Sequence, residues 1–423
     1  MLDDMLALLS EPDRRALGLL GALPGGFDLA LARELLGDLA DPAVARLAGA
    51  SCLTRDVRYD GRYVLLDLVR EHARGQLGDD DAEWAAARSR QALTALAERA
   101  DAGLVTTDAA RWLVRLGVER VNLRAALTSA WAAGDHGSYL RLAAALGLFW
   151  YRSGGIGEGI GWLRRAAKVA VDLDPGGWAK ARISLGGLHY LAGDPAAAAR
   201  DLEAAVAPAR AVGDVVTLAK AVSYGAYFAA LAGGPIDVAR AEQAGDLARA
   251  GGPAWLRAEV EATIGLVARL AGRYEQAHAA FAAAREVAGG CGYGWAALSA
   301  TWAAVKNAVD LDDLPWAVRQ AAGAALAAGR AGDTTAWLAM LHTAAGVLAL
   351  GGDPETGARL LGVVAGRGER IGFVPGRMDP IDASRWEAAV RERLSPPELA
   401  RLVAQGRRLS GAQVAELLAP HTA

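Results

Sequence analysis

Residues 263–284 read TIGLVARLAGRYEQAHAAFAAA, and this stretch decides the fold. Small residues at Gly265, Gly272, Ala277 and Ala284 are set against the bulky Tyr274 and Phe281 at helical spacings, with a break at Gly272. Small residues at paired positions let two helix backbones approach closely, and the break supplies the turn between them. One such pair cannot bury its apolar face alone, so neighbouring pairs must stack.

Working outward, the break recurs at Gly154, Gly193, Gly234, Gly272, Asp312 and Gly352, at spacings of 39, 41, 38, 40 and 40 residues. Two residues after each break stands an apolar residue or proline (Ile156, Pro195, Ile236, Tyr274, Leu314, Pro354), and three further on a small one (Gly159, Ala198, Ala239, Ala277, Ala317, Gly357). Seven residues before most breaks comes another small residue, as at Gly147, Gly186, Gly265 and Ala345; Tyr227 and Val305 depart from the rule. The 263–284 copy matches tetratricopeptide consensus positions. The expected fold is mainly all-α: a tetratricopeptide-like α-solenoid of six or more helix pairs over residues 81–385, with a C-terminal helical cap over 386–423.

Bulk properties agree. Hydrophobic residues make up 53% of the 423 and charged residues 22%, a globular balance, and alanine and leucine dominate, which favours helix. Lysine appears only at Lys168, Lys180, Lys220 and Lys306; the other basic residues are arginine. A net charge of −3 does not draw the chain to nucleic acid or an anionic membrane. Cys52 and Cys291 lie far apart without metal spacing, which fits a reducing cytosol. The N-terminus, MLDDMLALLSEPDRR, has acids where a signal peptide needs positive charge, and no apolar run reaches the length of a membrane span. The expectation is a cytoplasmic protein.

The first eighty residues have another texture. Ser10 and Pro12 open a helix that Pro24–Gly25–Gly26 stops; a second runs through Leu29–Leu36, and a third starts at Asp41–Pro42. LTRDVRYDGRYVLL then alternates, and Asp60–Gly61 predicts a type I′ hairpin with positive φ at both residues. A helix through Leu68, Val69 and Ala73 follows. Three helices, a hairpin and a helix predict a winged helix-turn-helix over 1–80. The third helix offers DNA only Arg46, and Arg55, Arg58 and Arg62 on the wing sit among acids. Nine arginines face fourteen acids in this region, so an interdomain spacer is preferred to a DNA reader.

The blocks LSEPDRRALGLLGALPGGFDLALARELLG, RYVLLDLVREHARGQL, VERVNLRAALTSAWAAGD and LARLVAQGRRLSGAQVAELLA resemble the region after the nucleotide-binding domain in large bacterial AfsR- and LuxR-type regulators. These are signal-transduction ATPases related to the NB-ARC class. The resemblance implies a winged helix, a MalT-like repeat sensor and a terminal cap. Those relatives carry an ATPase upstream, but no GxxxxGK[ST] occurs in this sequence. Their Met-His-Asp motif corresponds to Leu65, Leu66 and Asp67, with leucine where the phosphate-contacting histidine would stand.

Nothing points to catalysis or a cofactor. There is no HExxH, no GxSxG and no histidine pair with metal spacing; His189 and His342 read as ordinary helix residues and Cys52 as a small buried hydrophobe. The recurrent Trp178, Trp255, Trp295 and Trp337 read as packing between repeats. The candidate site is the concave face made by the first helix of each pair: Arg141, Tyr151, Tyr190, Tyr224, Phe228, Glu259, Arg269, Trp302, Lys306 and His342. These mix aromatic and charged types, the kinds enriched at binding hot spots, and are expected to meet solvent on one side. The expected role is a regulatory or signal-transduction protein, in transcription control, whose repeats bind a protein, peptide or small ligand. A DNA-binding regulator using the winged helix, and the remnant of a split ATPase regulator, are the alternatives.

Overall fold

The structure, a computed structural model, describes residues 6–422. Met1–Met5, where the acidic N-terminal stretch begins, and Ala423 lie outside the described residues. The chain forms two compact units, residues up to Ala100 with Val114–Ala145, and Asp101–Leu113 with the residues from Leu146 onward.

In the first unit Ser10 caps α1 (Glu11–Leu20) by accepting the Asp13 N–H, and Asp28 caps α2 (Leu29–Leu36) by accepting that of Leu31. These helices, α3 (Ala40–Gly49) and α4 (Asp67–Gly75), bury Leu17, Leu20, Ala32 and Leu47 around Phe27. The sheet is antiparallel with order β1–β3–β2: β1 (Phe27–Asp28), β3 (Arg62–Val64) and β2 (Thr54–Arg55), with Tyr63 between Phe27 and Arg55. The sequence reading missed β1, two residues directly before a helix cap. The turn also departs from expectation, since only Gly61 has positive φ (70°). Asp56 takes over instead: its N–H donates to Arg62 O at 2.9 Å and its Oδ1 accepts the Arg58 N–H at 2.9 Å. An Asx turn therefore folds a longer loop than a two-residue hairpin. Helices α5 (Asp79–Gly103), α6 (Ala109–Val118), α7 (Arg120–Ala132) and α8 (His136–Ala145) follow.

The second unit is built of consecutive helix pairs. They are α9 (Gly147–Ser153) with α10 (Ile156–Ala166), α11 (Pro175–Leu191) with α12 (Pro195–Ala211), and α13 (Val215–Leu231) with α14 (Val238–Gly251). Then come α15 (Ala254–Leu270) with α16 (Tyr274–Cys291), α17 (Gly294–Asp310) with α18 (Leu314–Arg330), and α19 (Thr334–Leu350) with α20 (Pro354–Ile371). Each helix packs on the next, and first helices also touch across neighbouring pairs. This is a tetratricopeptide-like α-solenoid, and every strand among the described residues lies between Phe27 and Val64.

The sequence breaks fall in the turns within pairs. Gly154, Gly193 and Gly272 are left-handed there, and Asp312 adopts the same conformation with φ 60°. The tight pairing of small residues is physical: a Cβ on Gly265 would lie 2.5 Å from the Phe281 ring, and one on Gly186 2.2 Å from Leu202. The third pair differs from expectation. Its left-handed residue is Gly233, the loop runs on to Asp237, Ile236 and Ala239 are exposed, and Ala241 is the fully buried small residue. The added loop length shifts the packing register of α14.

An unread signal marks the helix starts. Asp174, Asp194, Asp214, Asp313, Asp333 and Asp353 each accept a backbone N–H from the first turn of the helix that follows. The first and sixth pairs meet: Arg152 Nε donates to Asp333 at 2.6 Å, and Thr335 Oγ1 to Tyr151 O at 2.6 Å. After α20 come α21 (Pro375–Met378), α22 (Ala383–Arg391), α23 (Pro396–Gly406) and α24 (Gly411–Leu418). No described helix is long and apolar enough to cross a membrane.

Candidate functional site

The first helices α11, α13, α15, α17 and α19 carry Tyr190, Tyr224, Phe228, Glu259, Arg269, Trp302, Lys306 and His342, and α9 carries Tyr151. Arg141 stands apart from them: it belongs to the first unit, exposed on α8 and bidentate to Glu98.

Side-chain contacts join the others. Tyr190 stacks on Phe228 with ring centroids 4.7 Å apart, Phe228 stacks on Tyr224, and Tyr151 meets Trp295 edge-on. Glu259 accepts from the Tyr224 and Tyr293 hydroxyls, each at 2.9 Å, and pairs with Lys220 at 3.0 Å. Burial pushes the Tyr190, Tyr224 and Tyr293 hydroxyls well above their ordinary range, and Tyr227 to about 12.

The expectation that this face meets solvent is corrected. Tyr190, Phe228, Glu259, Arg269, Trp302, Lys306 and His342 are all buried, Lys306 to 1% exposure. Two small cavities remain, of about 90 and 50 Å³, both lined by Tyr151 and Trp295. Trp302 sends Nε1–H to Thr343 at 2.8 Å.

What covers the face is the chain itself. The segment VPGRMDPIDASRW, residues 374–386, lies against it, with Met378, Asp379, Asp382 and Trp386 buried. Lys306 Nζ reaches Asp379 at 2.8 Å and Asp382 at 2.7 Å, while its ammonium lies 4.1 Å from the Trp302 ring centre. Arg269 grips both Asp382 oxygens at 2.7 and 2.8 Å and turns Nε to Asp310 at 2.7 Å; Arg385 closes the chain on Asp310. Farther along, Trp386 packs on Gly346 and His342 faces Glu387 at 3.4 Å. Three carboxylates and three cations thus balance in a network that is buried at Lys306, Arg269, Asp379 and Asp382 and reaches the surface at Arg385. Beside Lys306 and Arg269, the Asp382 carboxyl is held well below the usual carboxylate range despite burial. Sequence reasoning found Lys306 and Arg269 and missed Arg385 and these carboxylates. The available signal was Asp379-Pro-Ile-Asp382, two acids three apart.

In the first unit, three of the four arginines considered for DNA already have acidic partners. Arg46 pairs with Asp13 at 2.8 Å and Arg58 with Asp56 at 2.8 Å. Arg62 is 2% exposed, pairs with Glu119 at 2.7 Å and donates to the Gly25 and Gly26 carbonyls. Asn122 holds the same turn, accepting the Gly25 N–H at 2.7 Å. The VERVNL block is therefore a clamp on the Gly25–Gly26 turn.

Cys52 is buried, and burial raises its thiol pKa. His189 is buried against Asp201 at 2.6 Å. No group of three or more metal-ligating side chains is found among the described residues.

No family model matches the sequence, and no curated protein matches it. Among solved structures, one similar chain is a signal transduction ATPase with numerous domains (STAND) with a tetratricopeptide repeat sensor, from Pyrococcus horikoshii. It is 12% identical with TM-score 0.47, the match covering 99% of this chain and 66% of that one. Another is a Rap protein complexed with competence and sporulation factor, 11% identical with TM-score 0.47, covering 80% of this chain and 93% of that one. The repeat assignment stands on the helix order and packing described above.

Proposed function

We propose that this protein is a regulatory interaction protein whose helical-repeat inner face binds an acidic peptide or protein segment. One observation carries the reading: Lys306 and Arg269, on neighbouring pairs, converge on two carboxylates three residues apart, Asp379 and Asp382. A buried cation pair matched to two carboxylates three residues apart is a recognition element, and here the chain's own segment fills it. A partner carrying two similarly spaced acids competes for the same cations and displaces residues 374–386. The charge-assisted, bidentate Arg269 contact sets the spacing.

The same reading assigns residues 1–80 to a winged helix-turn-helix that docks or transmits, with transcription control as the setting and the cytoplasm as the location. A protein or peptide partner takes precedence over a small-molecule effector. The paired state of Arg46, Arg58 and Arg62 speaks against DNA as a partner of this chain, and no membrane partner or catalytic role is part of the reading.

The test is to titrate a labelled peptide of sequence VPGRMDPIDASRW into the full chain and into its Asp379→Asn/Asp382→Asn variant. The tethered segment competes at high effective concentration, so the variant should bind at least about tenfold more tightly, and adding Arg269→Gln should remove the gain. Equal affinity for both proteins contradicts the proposal.

A further inference from the structure

One open cleft in the second unit lies away from the inner face. It has a volume of about 530 Å³, between the C-terminal halves of α18 and α20, the start of α19, and α24. Its walls are mainly apolar, with Trp337, Val414 and Leu418 among them, and three arginines open onto it: Arg330, Arg367 and Arg370.

These arginines differ from the others nearby, because the surrounding carboxylates are committed elsewhere. Glu369 pairs with Arg407 at 2.8 Å, Glu355 with Arg359 at 3.2 Å, and Asp353 with His421 at 3.1 Å. Asp333 borders the cleft, but it is buried against Arg152 at 2.6 Å and accepts the Ala336 N–H. The Arg367 guanidinium carbon lies over the Trp337 ring, 4.8 Å from its centre, and Arg367 donates to Leu409 O at 3.2 Å. Arg370 turns Nε to Gly366 O at 3.2 Å. Burial first, and the Arg370 charge second, push the Arg367 guanidinium below its ordinary pKa. Among the described residues no carboxylate pairs with these three arginines, so the cleft combines three positive charges with an apolar wall and an aromatic ring.

We infer that this cleft is a binding site for a small phosphomonoester with an aromatic body, formed by Arg330, Arg367, Arg370 and Trp337. Guanidinium groups match phosphate oxygens in geometry and stay charged at all physiological pH. The apolar wall takes the aromatic body, and the volume falls in the range of small-molecule pockets. Because α24 forms one wall, the ligand ties the C-terminal helices to the last repeat pair. This site is separate from the acidic-peptide face and stands or fails independently of it.

The test is calorimetric titration of the full chain with 1-naphthyl phosphate, 1-naphthol and inorganic phosphate. The phosphomonoester should bind at least about tenfold more tightly than either fragment, because only it uses both the cations and the wall. Arg330→Gln and Arg370→Gln alter exposed side chains and should keep the melting temperature while weakening binding by about tenfold each. Arg367→Gln should weaken it further, and Arg401→Gln, exposed on α23 outside the cleft, should change nothing. Affinity equal to that of inorganic phosphate, or unchanged in the Arg330 and Arg370 variants, overturns the assignment. Tighter binding of a phosphotyrosyl peptide than of the free aryl phosphate overturns the small-molecule assignment.

Discussion

Lys306 Nζ stands 2.7 Å from Asp382 Oδ2, joining the fifth helix pair to a segment that follows the last pair along the chain. Both side chains are buried, so neither charge has water as an alternative partner. Removing one partner strands the other. Asp382→Ala, and separately Lys306→Met, should each lower unfolding free energy by about 3–5 kcal/mol. Urea denaturation measures this, and a loss below about 1 kcal/mol would show that the network contributes little.

The same pair sets an acid dependence. Burial raises the Asp382 pKa, but Lys306 and Arg269 outweigh it and hold the folded value below the unfolded one. Its stabilisation is therefore fully present above the unfolded carboxylate pKa of about 4. It is lost as the pH falls below that point towards the folded value. Asp382→Asn should be less stable at neutral pH, and the gap should narrow in acid; a gap constant from pH 7 to pH 3 would contradict the assignment.

Asp312 holds a left-handed conformation at a turn where other pairs use glycine. Asp312→Gly relieves that strain, while glycine's freer unfolded chain offsets part of the gain. The expected result is a net stabilisation of up to about 1 kcal/mol, read from the thermal midpoint. Destabilisation would mean that the aspartate side chain stabilises the turn in another way.

Ala277 is fully buried where α16 starts against α15. Ala277→Leu should destabilise by about 1–3 kcal/mol through overpacking, without changing which peptide the inner face selects. Denaturation and the peptide titration together separate packing from recognition.

The repeat was legible because its signal is local. Gly272, Ala277 and Phe281 fix one turn and one close contact, and both recur with the period. The third pair was misregistered because Gly233–Gly234 offers two adjacent break positions, and only packing decides that Gly233 turns and Ala241 is buried. The concave residues could be named, since Lys306 and Arg269 follow from counting along a first helix. Their covering could not. The distance of Asp379 and Asp382 along the chain from their cations is a tertiary fact that no window of sequence contains. The Asp60–Gly61 turn failed for a subtler reason: Asp56, four residues earlier, competes for the backbone and wins.

Residues 374–386 are proposed to occupy a peptide-binding face and to leave it when a partner with two similarly spaced acids arrives. Hydrogen exchange of the full chain, followed by mass spectrometry with and without saturating VPGRMDPIDASRW peptide, tests it most directly. Backbone protection over Phe373–Arg391 should fall on peptide binding, while α15, α17 and α19 stay protected at the level of the free protein. Bound peptide with unchanged protection over Phe373–Arg391 would contradict the account, because the peptide would then be sitting somewhere other than on Lys306 and Arg269.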